Sequence, residues 1–291
     1  MKPPAVRYAR AGDVREAVAL LAEHGSDAKV LAGGQSLVPL MSFRLARPSI
    51  LVDINRIGGL DRIEQDNGSL LIGAMARQRD VELSDVAAAA VPLLPQALRY
   101  VGHVTIRNRG TVGGSLAHAD PAAELPAVVT ALGGELVLEG PGGTRSVAAE
   151  DFFTGTFTTV MAPDEVLVGV RLPRLPDRTG VAVEELARRH GDFAVVGVVA
   201  AVHLADDGTV DLVRLAASGV DSVPVRLHAA EAALSGTRPT ADVLEAAAAT
   251  VDASIHPADD VHAPASYRRH VARLLVQRAL GAAVERSGVE R

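Results

Sequence analysis

An α+β fold is predicted for this 291-residue chain from three observations. Up to Leu172, helical and strand-like patterns are interleaved. The segment Pro173-Arg174-Leu175-Pro176-Asp177-Arg178-Thr179-Gly180 then has the proline, glycine and charge content of a domain linker. Beyond it, long strand candidates come first and three helices after, the segregated order of an α+β unit.

The first element is a helix. Asp13 and Glu16 form a capping-box-like start, Val14, Ala17, Val18, Leu20 and Leu21 supply its apolar face, and Gly25 stops it. A short strand at 29–31 leads into a Gly-Gly turn. Residues 37–44 read as a short helix interrupted by Pro39, and 50–53 close a β-α-β-like unit. Strands at 61–65 and 70–72 are joined by Asn67-Gly68, a strong hairpin dipeptide. Helices are expected at 85–90 and 93–100, then, after a second Gly-Gly turn, at 121–132 despite Pro126. Strands follow at 135–138, 145–148 and 166–172, with Gly142-Gly143 turning between the first two. Past the linker, strands are expected at 181–186, 194–204 and 210–217, with Asp206-Asp207-Gly208 as a tight turn. Helices are expected at 226–234, 241–251 and 265–286. The last has Val271, Leu274, Leu275, Ala279 and Ala282 at helical spacing; its arginine-rich face reads as solvated or, less simply, as a partner-docking face.

Composition narrows the function. Hydrophobic residues make up 48% but aromatics only 3%, so the core is built from Ala, Val and Leu. The net charge of −6 argues against a nucleic-acid binder, which needs a basic footprint. The absence of cysteine excludes disulfides, cysteine-bound zinc, cysteine-bound iron–sulfur clusters and cysteine-linked cofactors in this chain. Met1-Lys2-Pro3-Pro4 lacks a signal-peptide apolar stretch, and the longest apolar run, 193–204, is shorter than the roughly 20 residues that span a bilayer. A cytoplasmic protein without a membrane span is the expectation.

The chemistry concentrates in two glycine pairs, Val30-Leu31-Ala32-Gly33-Gly34-Gln35-Ser36-Leu37 and Gly110-Thr111-Val112-Gly113-Gly114-Ser115-Leu116. A backbone without Cβ atoms reaches φ > 0 and can lie flush against another molecule, and its free N–H groups attract anions such as phosphate. Two such loops suggest opposite walls holding the two ends of one long, phosphate-bearing ligand. The alternative is two structural turns. Neither loop is a G-x-G-x-x-G fingerprint or a Walker A loop.

The stretch from Tyr100 to Glu124, dense in glycine and polar residues, ties the loops together. The motifs are Ala32-Gly33-Gly34-Gln35-Ser36-Leu37, Thr105-Ile106-Arg107-Asn108-Arg109-Gly110-Thr111-Val112-Gly113-Gly114-Ser115 and His118-Ala119-Asp120-Pro121-Ala122-Ala123-Glu124. With them go Arg188-Arg189-His190-Gly191-Asp192-Phe193-Ala194 and Tyr267-Arg268-Arg269. Together they resemble the FAD-binding (medium) subunit of molybdenum hydroxylases, the carbon monoxide dehydrogenase and xanthine dehydrogenase family, over essentially the whole chain.

The resemblance implies two α/β FAD-binding subdomains of the PCMH/vanillyl-alcohol-oxidase-like type, at 1–57 and 58–176, and a C-terminal domain at 177–291 with a small antiparallel sheet and helices. It implies non-covalent FAD held by Ala32, Gly33, Gly34, Gln35, Ser36, Leu37, Thr111, Gly113, Gly114 and Ser115 around the pyrophosphate. Asp120, Glu124, Leu167 and Phe193 complete the implied set, Glu124 accepting a hydrogen bond from the cofactor, Leu167 as an apolar contact, and Phe193 covering a flavin face. No residue of this chain is expected to act as a catalytic acid or base.

The implied activity is electron transfer. A large molybdenum-cofactor subunit and a small subunit carrying 2Fe-2S clusters would deliver electrons to FAD here, in a dimer of heterotrimers, for onward passage to a terminal acceptor. A free-standing FAD-dependent oxidase or reductase, with His103 or His190 handling protons, is the alternative. The substrate and the terminal acceptor are left open. One departure stands out: some relatives carry a lysine near Glu184-Glu185, and two glutamates there would lower the flavin potential, with Arg188 the nearby cation.

Individual residues carry competing readings. Arg107 and Arg109 suit either phosphate charge or a salt bridge pinning the loop. Glu124 at a helix start is favoured by the helix dipole in any case. His118 with Asp120 is too few ligands for a structural metal. His103 reads as a hydrogen-bonding loop residue rather than a covalent flavin link.

Overall fold

The computed structural model describes residues 2–288. A three-stranded parallel sheet opens the chain, built from β1 (Arg7–Arg10), α1 (Val14–His24), β2 (Ala28–Leu31), α2 (Leu37–Ser42) and β3 (Ile50–Asp53), with strand order β1-β3-β2. The α1 cap is as expected: Asp13 Oδ1 accepts from Glu16 N at 2.8 Å, and Glu16 Oε2 accepts from Gly12 N at 2.7 Å. Ala17, Val18 and Leu21 then pack over Val52 of the sheet.

Strand β1 is not legible in the sequence, because Arg7, Tyr8 and Arg10 carry no apolar alternation. It forms by backbone pairing with β3, Arg7 opposite Ile50. Pro39 does not interrupt α2. It is the third helical residue, where the missing N–H has no intrahelical partner to lose.

The middle of the chain forms a five-stranded antiparallel sheet of order β4-β5-β10-β6-β7. In chain order the elements are β4 (Ile63–Asp66), β5 (Ser69–Gly73), α3 (Gln78–Glu82), α4 (Asp85–Ala90), α5 (Leu93–Leu98), α6 (Val104–Arg107), α7 (Val112–His118), α8 (Glu124–Ala131), β6 (Glu135–Gly140), β7 (Gly143–Ala148), α9 (Ala149–Phe152), β8 (Phe153–Gly155), β9 (Thr158–Thr159) and β10 (Val166–Pro173). Leu70, Ile72, Leu136, Leu138 and Leu172 from the sheet meet Leu93, Leu94, Leu98, Leu116 and Leu125 from the helices in one core.

Two expectations change here. The second Gly-Gly pair is no turn: Gly113 and Gly114 lie in the first turn of α7, capped by Thr111, whose Oγ1 accepts from Gly114 N at 3.0 Å. The helix expected at 121–132 starts only at Glu124. Asp120 Oδ1 accepts from Ala122 N at 2.9 Å, and this local turn holds the chain non-helical until then.

The last third contains β11 (Gly180–Leu186), β12 (Val196–Leu204), β13 (Val210–Ser218), β14 (Val225–Arg226), α10 (His228–Leu234), α11 (Ala241–Ala249) and α12 (Ala265–Arg286). The four strands pair antiparallel in that order. Both faces of this sheet are covered. Val181, Val183, Val199, Ala201 and Ala216 join the core of the middle sheet, while Ala182, Val198, Ala200, Val202, Leu215 and Ala217 pack under the C-terminal helices. Burial on both faces is why β12 reads as a nearly unbroken apolar run instead of alternating.

The bounds of α12 agree with the expectation, though Leu274 is 48% exposed and its place on the buried face is taken by Val276 and Leu280. The helix expected at 241–251 passes into a 3-10 turn at Thr250–Ala253. Among the described residues, no helix is long and apolar enough to cross a membrane.

Candidate functional site

The first glycine loop follows β2 and runs into α2, at the edge of the parallel sheet where an α/β unit leaves its strand ends open. Gly34 sits at φ +74°, a conformation costly for a side chain. Its neighbour Gly33 is buried, and a Cβ there would fall 2.3 Å from the carbonyl oxygen of Arg109 and 2.9 Å from Gly110 Cα. The two glycine loops therefore touch. They are neighbours in one surface rather than opposite walls, which corrects the picture of two distant ends.

They also differ chemically. Among the described residues, the backbone N–H groups of residues 32–37 have no hydrogen-bond acceptor within the chain. In the second loop the amides are consumed: Val112 N donates to Ala76 O (3.0 Å), Gly113 N to Ala74 O (2.9 Å), Gly114 N to Thr111 Oγ1 (3.0 Å) and Ser115 N to Thr111 O (3.2 Å). The line of free amides expected at both loops exists at the first alone. Gly113 is small for another reason, since a Cβ would lie 2.4 Å from Ala74 Cβ and 2.7 Å from its Cα.

A cleft of about 650 Å³ opens in front of the first loop. It is lined by Ala32, Gly33, Gly34, Gln35 and Val38 of the loop and α2, together with Asp53, Asn55, Arg56, Arg77 and Arg109. Arg56, Arg77 and Arg109 make no ion pair within 4.0 Å among the described residues, whereas Arg107 is fully engaged. Arg107 is buried and donates to Glu82 Oε2 (2.8 Å), Val101 O (2.9 Å) and Gly102 O (3.2 Å). Of the two arginines flanking Asn108, Arg107 pins the loop and Arg109 faces the cleft.

Asp53, Asn55, Arg56 and Arg77 were missed by sequence reasoning. Their only signal is position: Asp53 and Asn55 end a strand beside the first glycine loop, and Arg77 follows β5 at the start of a helix. Burial would raise the Asp53 carboxyl, but hydrogen bonds from Tyr8 and Asn55 outweigh it and hold the group below its ordinary value.

The remaining expected residues lie outside this cleft. Thr111 is buried as the α7 cap, and Gly114 approaches Ala32, its Cβ position 3.6 Å from the alanine methyl. Helix α7 carries the chain about 10 Å from there to Asp120. Asp120 is raised by burial. Glu124, 7% exposed at the start of α8, is pushed up to about 8 by burial, with the like charges of Glu185 and Asp120 adding to it. Glu185, on β11 opposite Gly197, is pushed up to about 7 by burial. These three carboxyls form a second polar centre beyond α7. Leu167 is buried in the core on β10, beside an irregularity in the β10–β6 register, and Phe193 is 61% exposed in the loop between β11 and β12. That loop leans on the segment before α6, where the His190 and His103 rings lie 6.1 Å apart.

Other motif residues are structural. Arg268 of α12 is buried, donating to Val195 O (2.5 Å) and Gly219 O (2.8 Å) and pairing with Asp260 (2.7 Å), while Arg269 donates to Asp252 O and Ile255 O, both at 2.7 Å. His118 stacks on Phe157 with ring centroids 4.9 Å apart. Among the described residues, no group of three or more His, Cys, Asp or Glu side chains could hold a metal ion.

Residues 4–175 match the family described as FAD binding domain in molybdopterin dehydrogenase, and residues 181–283 match the CO dehydrogenase flavoprotein C-terminal domain. The chain is 41% identical to the 6-hydroxypseudooxynicotine dehydrogenase complex subunit alpha of Paenarthrobacter nicotinovorans, over 99% of this chain and 97% of that one. It is also 41% identical to the carbon monoxide dehydrogenase medium chain of Hydrogenophaga pseudoflava, over 97% of this chain and 98% of that one. Among solved structures, a chain of the carbon monoxide dehydrogenase from Hydrogenophaga pseudoflava lacking the Mo-pyranopterin moiety superposes with a TM-score of 0.96. It is 42% identical, covering 99% of this chain and 100% of the other.

Proposed function

The chain belongs to the family of FAD-binding medium subunits of molybdenum hydroxylases, and on that premise we propose that the cleft in front of Gly33 and Gly34 holds the diphosphate of FAD. The observation that carries this reading is the run of unpaired amides at residues 32–37 facing three arginines without ion-pair partners. Such a donor set suits an anion of about two charges, and the missing Cβ atoms let the backbone approach it. When bound, FAD supplies one- and two-electron redox chemistry.

The protein's part is to bind and orient. Ala32, Gly33, Gly34, Gln35, Ser36 and Leu37 offer amides to the phosphates. Thr111, Gly113, Gly114 and Ser115 form the firm surface beside them, with Thr111 and Gly113 acting through the shape of α7. Asp120, Glu124 and Leu167 would then stand toward the flavin end, and Phe193 would cover it. Glu124 carries its proton at neutral pH, and an N–H donor placed against it favours the ionised form. Glu185, pushed up to about 7, is only partly charged near neutrality, so the acidic pair at 184–185 imposes less negative charge than its sequence suggests.

The same reading assigns units at 1–57, 58–176 and 177–291, and a cytoplasmic complex with a large molybdenum-cofactor subunit and a small 2Fe-2S subunit. Its substrate is chosen on the large subunit; relatives are named for molecules as unlike as carbon monoxide and a nicotine derivative. The test is to purify the chain alone and with its neighbouring subunits. Stoichiometric FAD on the isolated chain, and turnover only in the assembled complex, is the expected result. A chain that neither retains nor takes up FAD, or that turns over reductants alone, overturns it.

A further inference from the structure

Three segments far apart in sequence meet at one side chain in the cleft. Arg77 precedes α3, and its Nη1 donates to Arg109 O at 2.5 Å while its Nη2 donates to Asn55 Oδ1 at 2.8 Å. Asn55 passes the connection on: its Nδ2 lies 2.8 Å from Ala32 O, 3.2 Å from Leu31 O and 2.7 Å from Asp53 Oδ1. Asp53 in turn accepts from Tyr8 on β1. The Arg109 carbonyl held by Arg77 is the same oxygen against which Gly33 packs. The Arg77 backbone also bridges Thr111, the cap of α7.

We propose that Arg77 is the positioning residue of the cleft, fixing both glycine loops against the end of β3 and setting, with Arg56 and Arg109, the positive charge that selects a diphosphate. This rests on the FAD reading of the cleft and deepens it. Two features make Arg the required residue. Its planar fork reaches a carbonyl and an amide oxygen in two directions at once, which an ammonium on a flexible stem does not hold in register. Its charge has no carboxylate within ion-pair distance among the described residues; Asp53 and Asp80 act on it only from further away, and Asp53 is hydrogen-bonded to Tyr8 and Asn55. Partial burial and then the like charge of Arg109 work against the Arg77 cation, Asp80 and Asp53 offset part of this, and an anion in the cleft relieves the rest.

The experiment uses the full chain, deflavinated and titrated with FAD and separately with inorganic pyrophosphate at several ionic strengths. Wild-type protein is expected to bind both, with affinity falling as salt rises. Arg77→Met is expected to weaken FAD binding by about 10- to 100-fold, the loss of one or two charge-assisted contacts, and to flatten the salt dependence. Arg77→Lys is expected to keep the salt dependence but lose roughly tenfold in FAD affinity, because charge survives and the two-point tether does not. Far-UV circular dichroism of each apoprotein checks the fold. Arg77→Lys with wild-type affinity for FAD overturns the positioning role, including when Arg77→Met fails to fold. Arg77→Met with an unchanged salt dependence overturns the charge role. Wild-type protein that binds pyrophosphate but not FAD refutes the FAD reading alone, and the variants are then read on pyrophosphate; binding of neither refutes both.

Discussion

Gly33 packs so closely on Arg109 that a Cβ built on the glycine would fall 2.3 Å from the arginine's carbonyl oxygen. That contact makes one surface out of two loops. Replacing Gly33 with alanine forces the loops apart while leaving α1, β2 and β3 to pack as before. The expected outcome for Gly33→Ala is loss of most bound FAD with a near wild-type far-UV spectrum, measured as the flavin-to-protein ratio after gel filtration. Full flavin retention would show that the loops tolerate separation.

Gly113 behaves differently, although the sequence presents it as the twin of Gly33. Its Cβ would run into Ala74, backbone included, in the core between α7 and β5. Gly113→Ala is expected to destabilise the whole fold by about 3 kcal/mol, an overpacking cost. Chemical denaturation of the apoprotein measures it.

Arg107 and Glu82 are both largely buried, and their pairing at 2.8 Å holds the segment between α6 and α3. Burial would raise the Glu82 carboxyl, but hydrogen bonds from Arg107 and Arg79 outweigh it and keep the group below its ordinary value. The stabilisation is therefore complete above the unfolded-state pKa of 4.5 and is lost as pH falls through the lower folded value. Arg107→Ala is expected to cost about 3 kcal/mol at pH 7 and less in acid, where wild type loses the same pairing. Melting temperatures of both proteins across the acid range test this.

Glu124 has the opposite sign. Its folded value of about 8 lies above the ordinary 4.5, so the folded protein holds the extra proton between them. The burial penalty is absent below pH 4.5, grows through that window and is complete above about pH 8. Glu124→Gln, isosteric and uncharged, is expected to match wild type in acid and to exceed it by roughly 5 kcal/mol at alkaline pH in the absence of cofactor. Equal stability of the two apoproteins at high pH would show that Glu124 finds a partner there.

Much of this architecture is legible in the residues. Asp13 and Glu16 announce α1, Asn67-Gly68 announces the β4–β5 hairpin, and α12 spans the expected 265–286, although Leu274 faces away from the core. Elements held by pairing or packing leave no such mark. Strand β1 is polar and exists because β3 offers a free edge; α3 and α6 are single turns fixed by Arg77, Arg107 and their partners. The site was half visible for the same reason. Glycine pairs stand out in a sequence, but which amides remain free depends on Ala74 and Ala76 taking those of the second loop. Arg77 and Asn55, ordinary residues in ordinary surroundings, gain their place only when three segments fold together.

That uneven use of amides divides the labour of ligand capture. The surface led by Thr111 is set when the chain folds, and its hydrogen bonds stay as they are whether or not a ligand arrives. The Ala32–Leu37 run is held through its carbonyls, Ala32 O by Asn55, Gly34 O by Val38 N and Ser36 O by Leu40 N, and keeps its amides free, so the hydrogen bonds made on capture form there. Exchange rate and retention time are therefore adjustable from a six-residue stretch, through how its amides are presented, without disturbing the scaffold that α7 provides.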